Sequence, residues 1–325
     1  MDLDEILRIA NPKQLAAIKH PLAPLMIIAG AGTGKTFTLE NRIIYMIQQY
    51  GVKPDSILTI TYTEKAAKEL KSRLHEKIGQ KVHPMFVGTF HSFCYKLMKD
   101  YQINNADSSS LIDQSEAVHM ILENYDDFMP FMSEEYSINP KISVVESFIP
   151  FFNRLRDELV DIDKVDQSIL KDFYKDDAES LDQLNDLLRI FPIYQNLKKE
   201  NNLIDYNDMI LDTFHALKND TRLLEKVQSK YEHLIIDEFQ DNNYALNEIS
   251  RLISKKNRSI TVVGDDDQVI YSFRGANAFN ISTFEKTYES HPNYKMVTLE
   301  INYRSSQPIL DLANSSIKNN KERKI

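Results

Sequence analysis

At 325 residues, 42% of them hydrophobic, the chain has material for a sizeable core plus a second unit or a large insertion, and no apolar run approaches the roughly 18 residues of a membrane span. The net charge of −9 is unevenly placed: residues 101–200 hold 21 acidic and 9 basic side chains, the rest 27 and 30, so the acidic segment disfavours a phosphate backbone and the remainder does not. Cys94, the single cysteine, excludes an intramolecular disulfide and reads as a small core residue, and the acidic start at residues 1–5 lacks a signal-peptide layout, which points to the cytoplasm.

Asn11-Pro12-Lys13-Gln14 precedes a short helical pattern over residues 15–19. A Gln upstream of a phosphate loop can read adenine, because its amide both donates and accepts; a surface Gln at a helix start is the plainer alternative. The apolar run Leu25-Met26-Ile27-Ile28 predicts a short buried strand. Residues 37–49, with Leu39, Ile43, Ile44 and Ile47 at helical spacing, predict a helix. Between them lies Ala29-Gly30-Ala31-Gly32-Thr33-Gly34-Lys35-Thr36. Strand, Gly-rich turn and helix is the setting of a phosphate-binding loop, whose backbone N–H groups close around an anion beside the positive end of a helix dipole. Lys35 is placed to reach the β- and γ-phosphates, and the Thr36 hydroxyl to ligate Mg²⁺. Ala29 stands where the usual pattern begins with Gly, a change that the three remaining glycines tolerate.

Ile57-Leu58-Thr59-Ile60-Thr61-Tyr62 is a second strand pattern, and residues 63–70 begin a helix capped by Thr63. Met85-Phe86-Val87-Gly88-Thr89-Phe90 is a third, running into His91-Ser92-Phe93. Strands alternating with helices predict an α/β fold with a parallel sheet, and ligands of such sheets gather at the carboxyl ends of the strands, where Tyr62, Phe90 and His91 fall. From 104 to 201 the chain is acidic and helix-periodic, punctuated by Pro130, Pro140 and Pro150. It reads as a helical subdomain inserted into the core, its charges on solvated faces and its Phe and Tyr residues mostly inside.

The core pattern returns with Leu203-Ile204-Asp205-Tyr206-Asn207-Asp208 and a helix through Leu217. The strand pattern at residues 231–236 ends in Asp237-Glu238-Phe239-Gln240-Asp241. Two carboxylates closing a buried strand are costly unless they serve a cation. Beside a phosphate loop, Asp237 is the natural outer ligand of Mg²⁺ and Glu238 the base for a water. Residues 259–263 form another strand pattern, ending at Gly264-Asp265-Asp266-Asp267-Gln268, where Gln268 can meet a γ-phosphate or the attacking water. Tyr271, Phe273 and Arg274 follow, stacking faces beside a cation that suit single-stranded nucleic acid. A last strand pattern, residues 296–300, leads to Ile301-Asn302-Tyr303-Arg304-Ser305, where Arg304 can act on developing phosphate charge or be an ordinary surface arginine.

Taken together and in this order, residues 29–36, 87–92, 236–241, 263–276 and 302–305 resemble the UvrD/Rep/PcrA-type superfamily I helicases, over nearly the whole chain. The resemblance implies a P-loop NTPase (RecA-like) parallel sheet flanked by helices, carrying an inserted all-helical subdomain. Its expected parts are residues 1–103 and 202–290 for the first motor domain, 104–201 for the insertion, and 291–325 for the start of a truncated second motor domain. It implies an ATP-driven motor on single-stranded DNA, or its junctions with duplex, in which Gln14 reads adenine, Arg42 packs near the base and Tyr303 lies beside it. Lys35, Thr36, Asp237 and Glu238 keep the roles given above. Gln268 links the γ-phosphate to the DNA groove, Arg304 is an arginine finger, and Tyr62, Thr89, Phe90, His91, Phe273 and Arg274 line the DNA path.

This sequence departs from the family at three places: Phe273 replaces Trp, Glu64 replaces Asn, and Ile301 replaces Gln. The resemblance implies that the remainder of a second motor domain, with further motifs, is not contained in these 325 residues, and the expectation for them alone is ATP binding with weak turnover and no processive unwinding. Two other classes stay open on the sequence: a nucleotide-binding regulatory or scaffold module with a protein partner, and an RNA-dependent ATPase. A small-molecule kinase leaves the aromatic–Arg stretch and residues 302–305 unexplained.

Overall fold

The computed structural model describes residues 3–105, 108–268 and 280–317; Phe273 and Arg274 lie outside these. The chain divides into two compact units, Met1–Phe93 with Ala216–Ile325, and Cys94–His215. Among the described residues no helix is long and apolar enough to cross a membrane.

The first unit is built on six strands: β1 (Leu25–Ala29), β2 (Ile57–Ile60), β3 (Phe86–Gly88), β6 (His233–Ile236), β7 (Ser259–Gly264) and β8 (Lys295–Leu299). They pair in the order β3-β2-β6-β7-β1-β8, and every pairing is parallel. A parallel sheet needs long crossovers, and here helices supply them and bury both faces. Hence β1 carries no polar residue, and Ile27 sits in register with Val263 on one side and Val297 on the other. One face packs Leu25, Ile27, Ala29, Ile235 and Val263 against Leu39 and Ile43 of the helix Lys35–Gln49 and Leu70 and Leu74 of the helix Glu64–Ile78. Each such buried side chain contributes about 1.5–3 kcal/mol of transfer free energy before entropy is counted. Thr63 caps the second helix by accepting the Ala66 N–H at 3.1 Å. The edge strand β8 belongs to this sheet, although it lies in the segment expected to open a further domain.

One of the sequence expectations shifts by a few residues. The third strand pattern stops at Gly88, and Phe90 and His91 open the helix Phe90–Tyr101, because Thr89 and Ser92 exchange the hydrogen bonds of a helix start. Phe90 is buried at that turn.

The second unit is helical apart from a two-stranded parallel ribbon, β4 (Ser110–Leu111) with β5 (Leu203–Ile204). Its core is aromatic: Phe131, Tyr136 and Phe148 meet edge-on or tilted, and Phe152 stacks on Tyr194 at 5.1 Å. Cys94 is buried, and burial pushes its thiol up to about 12. The expectation that charges here are solvated fails at Arg156, Asp186 and Lys198, each at most 3% exposed. Arg156 and Lys198 both bond Asp205 and Asp208 at 2.5–2.9 Å, and Tyr194 donates to Asp205 at 2.8 Å. Asp186 accepts the N–H groups of Met132 and Ser133.

Candidate active site

All six strands end on one edge of the sheet, so the loops after β1, β2, β3, β6, β7 and β8 share that edge. The loop after β1 turns through Gly32 (φ +80°) and Gly34 (φ +87°), the left-handed region that L side chains avoid. Gly34 is the N-cap of the helix Lys35–Gln49 and offers no side chain to its first N–H groups, which leaves that helix end available to an anion. The loop is braced from within by Thr33, whose hydroxyl donates to the Gly30 carbonyl at 2.8 Å.

Two other segments close on it. Gln14, buried in a capping box with Asn11, donates to the Thr33 carbonyl at 3.3 Å. After β8, Asn302 donates to the Ala31 carbonyl at 2.7 Å and the Tyr303 N–H to the Gly32 carbonyl at 2.8 Å. A Cβ on Gly32 would lie 2.7 Å from the Arg304 Cβ, so Arg304 starts directly over the loop. Asn11 donates to the Tyr303 hydroxyl at 2.8 Å, which sets Tyr303 beside the Gln14 turn.

The loop after β6 brings the carboxylates. Asp237 is raised to about 6 by burial and by the neighbouring Glu238, with Lys35 opposing the shift. Asp241 is likewise raised to about 6, again by burial first, and its Oδ1 has no hydrogen-bond partner among the described residues. Glu238 adopts φ +51°, a strained backbone for a side-chain-bearing residue, and its Oε2 accepts from the Lys35 Nζ at 3.1 Å. Gln240 donates to the same oxygen at 3.0 Å. After β7, Gln268 donates to the Asp265 carboxylate.

Of the other residues singled out above, Tyr62 and Thr89 are half-buried at the ends of β2 and β3, and the Thr89 hydroxyl donates to Glu64 at 2.8 Å. Burial lowers the basicity of His91. Arg42 is fully buried and its guanidinium is consumed inside the protein: it donates to the carbonyls of Ala17, His20 and Pro21 and to the Thr261 hydroxyl at 2.7–3.1 Å. It therefore pins the chain between the helix Pro12–Ile18 and β1 instead of presenting a cation to a base. Reading the sequence passed over Gln240, Asn302 and Asp265 as contact-makers. Only their positions inside three of the motifs, residues 236–241, 263–276 and 302–305, marked them.

Residues 10–289 match the family model of the UvrD/REP helicase N-terminal domain. The chain is similar to the probable DNA helicase II homolog of Mycoplasma capricolum subsp. capricolum, 34% identical over 99% of this chain and 43% of that protein. It is also similar to the ATP-dependent DNA helicase PcrA of Staphylococcus aureus and of Staphylococcus epidermidis, 32% identical in each case over 99% of this chain and 42% of the relative. The chain thus spans less than half the length of these relatives.

Proposed function

Because this chain belongs to the UvrD/REP helicase family, we propose that it carries the ATP-hydrolysing site of a DNA helicase or translocase working on single-stranded DNA in the cytoplasm. The single observation that carries the reading is the Lys35–Glu238 contact at 3.1 Å, which joins a phosphate-binding lysine and a candidate base across one edge of a parallel sheet.

In this reading the N–H groups of residues 30–36 and the Lys35 ammonium hold the β- and γ-phosphates, while Gln14 and Tyr303 hold the adenine. Glu238 orients a water in line with the γ-phosphate and takes its proton as the terminal P–O bond breaks, giving ADP and phosphate. Arg304, starting over the loop, and Gln268 meet the charge that develops on the transferred group. The donor set suits Mg²⁺: the Thr36 hydroxyl, the half-buried Asp237 carboxylate with its raised affinity for a proton, and the Asp241 Oδ1, unpaired among the described residues. Among the described residues no three His, Cys, Asp or Glu side chains gather as a metal cage. The ion would supply positive charge to the β- and γ-oxygens.

On the same edge, Tyr62, Thr89 and His91 are proposed DNA contacts, and Phe273 and Arg274, outside the described residues, are proposed with them from the sequence motif alone. Buried Phe90 supports them from below. Arg42 acts on the nucleotide only through the Gln14 segment it holds.

The test is ATP hydrolysis by this chain with and without a single-stranded DNA oligonucleotide, Glu238→Gln serving as the blank. Hydrolysis stimulated by DNA more than by RNA of the same sequence, and absent in the variant, is the expected result. Equal stimulation by RNA would favour an RNA-dependent ATPase, and nucleotide binding that Glu238→Gln leaves entirely unaltered in its consequences would favour a regulatory module.

A further inference from the structure

Gln240 is 2% exposed, and both ends of its amide are engaged. Its Nε2 donates to the Glu238 Oε2 at 3.0 Å, and its Oε1 accepts the Asp265 N–H at 3.1 Å. Gly264 makes this approach possible, since a Cβ there would lie 2.9 Å from the Gln240 Oε1. Asp265 in turn accepts from the Gln268 side chain and from the Asp267 N–H at 3.1 Å. A desolvated amide with both ends satisfied is held hard, because moving it would leave a buried polar atom unpaired. The backbone of the same turn is fixed independently: Asn280 donates to the Asn242 carbonyl at 2.7 Å, with the Gln240 and Phe239 carbonyls at 3.3 and 3.4 Å.

The Glu238 Oε2 is shared between Lys35 and Gln240, and these two donors differ in what nucleotide binding asks of them. Lys35 is the residue that phosphates would draw away. Among the described residues the Gln240 Nε2 bonds nothing else, so it is the donor that stays on Glu238. We propose that Gln240 is a positioning residue for hydrolysis: it fixes the Oε2 of Glu238, leaves the other oxygen for the attacking water, and locks that carboxylate to the Asp265–Gln268 turn so that Glu238 and Gln268 act in one frame. The inference rests on the hydrolase reading given above and names a residue that reading does not require.

The experiment compares the full chain with Gln240→Met, which keeps the volume and removes both hydrogen bonds, and Gln240→Glu, which keeps an acceptor for the Asp265 N–H and withdraws the donor from Glu238. ATP turnover is measured over a range of ATP, and hydrogen exchange is followed in peptides covering 262–268. Both variants are expected to lower kcat about 10- to 100-fold with KM within about threefold of wild type. Exchange in 262–268 should rise in Gln240→Met and stay near wild type in Gln240→Glu. That combination separates positioning from bracing, because lost turnover in Gln240→Glu with residues 262–268 still protected places the effect at Glu238 and not in the brace, while uncharged Gln240→Met shows that the loss does not need an added negative charge. Wild-type turnover in either variant overturns the proposal, as does a rise in KM that matches the loss in kcat. A wild-type chain that hydrolyses no ATP overturns the hydrolase reading and this inference with it, whereas normal turnover in Gln240→Met overturns this inference alone.

Discussion

Gly34 shows how much a single position decides. Its backbone sits at φ +87°, and an added Cβ would lie 2.7 Å from the Gln14 Nε2. Gly34→Ala therefore combines left-handed strain, about 1–2 kcal/mol, with displacement of the side chain proposed to read adenine. ATP affinity should fall about tenfold, which a fluorescent-nucleotide titration measures; an unchanged affinity would mean that the loop does not need this turn. Arg42 makes the opposite case. Helical spacing put it on a helix with Leu39 and Ile43, but spacing cannot reveal that a guanidinium ends among three backbone carbonyls 21–25 residues away in the chain. Arg42→Met should cost about 3 kcal/mol of stability in urea unfolding, because those carbonyls lose their buried donors. The glycines and Lys35 were legible because local backbone geometry demands them. Arg42 and Asn302 were not, because their partners are distant in sequence, and Gln240 was not, because its bond to nearby Glu238 is completed by the Asp265 N–H 25 residues on.

At the scale of elements, the strands read well wherever apolar runs were continuous, as in β1, β6 and β7, and less well at the end of β3. There Thr89 and Ser92 convert a strand-like run into a helix start. The acidic segment misled in a more instructive way. Composition suggested solvated charge, yet Arg156, Lys198, Asp205 and Asp208 form a buried network that no periodicity discloses. Asp205→Asn leaves two buried cations undercompensated and should destabilise the second unit by about 3–5 kcal/mol in urea unfolding. Asp157 gives this unit a pH dependence. Burial raises its carboxyl to about 7, against Arg156 and Arg154, whereas the unfolded chain ionises near ~4. Between those values the folded state binds more protons, so Asp157 lowers stability as pH rises through that window. Relative to wild type, Asp157→Asn should gain stability progressively from pH ~4 to about 7. A gap between the two urea midpoints that stays constant over that range would contradict this.

For the whole molecule, the parallel sheet and its common carboxyl edge followed from alternating strand and helix patterns, and the described parts of the five motifs fall on that edge because strand ends are where such a fold presents side chains. The order β3-β2-β6-β7-β1-β8 was not legible, since apolar runs carry no pairing information, and neither was the place of β8 beside β1. The order matters to the site: it sets β7 between β1 and β6, so the Asp265–Gln268 turn lies between the phosphate loop and the Glu238 turn.

The central claim is that this edge binds the triphosphate of ATP through Lys35. Calorimetric titration of the chain with ATP in the presence of Mg²⁺, beside Lys35→Ala, tests it most directly. The account predicts a single saturable site whose affinity falls at least about tenfold in the variant. Binding that Lys35→Ala leaves unchanged, or no binding by the wild-type chain, would contradict it.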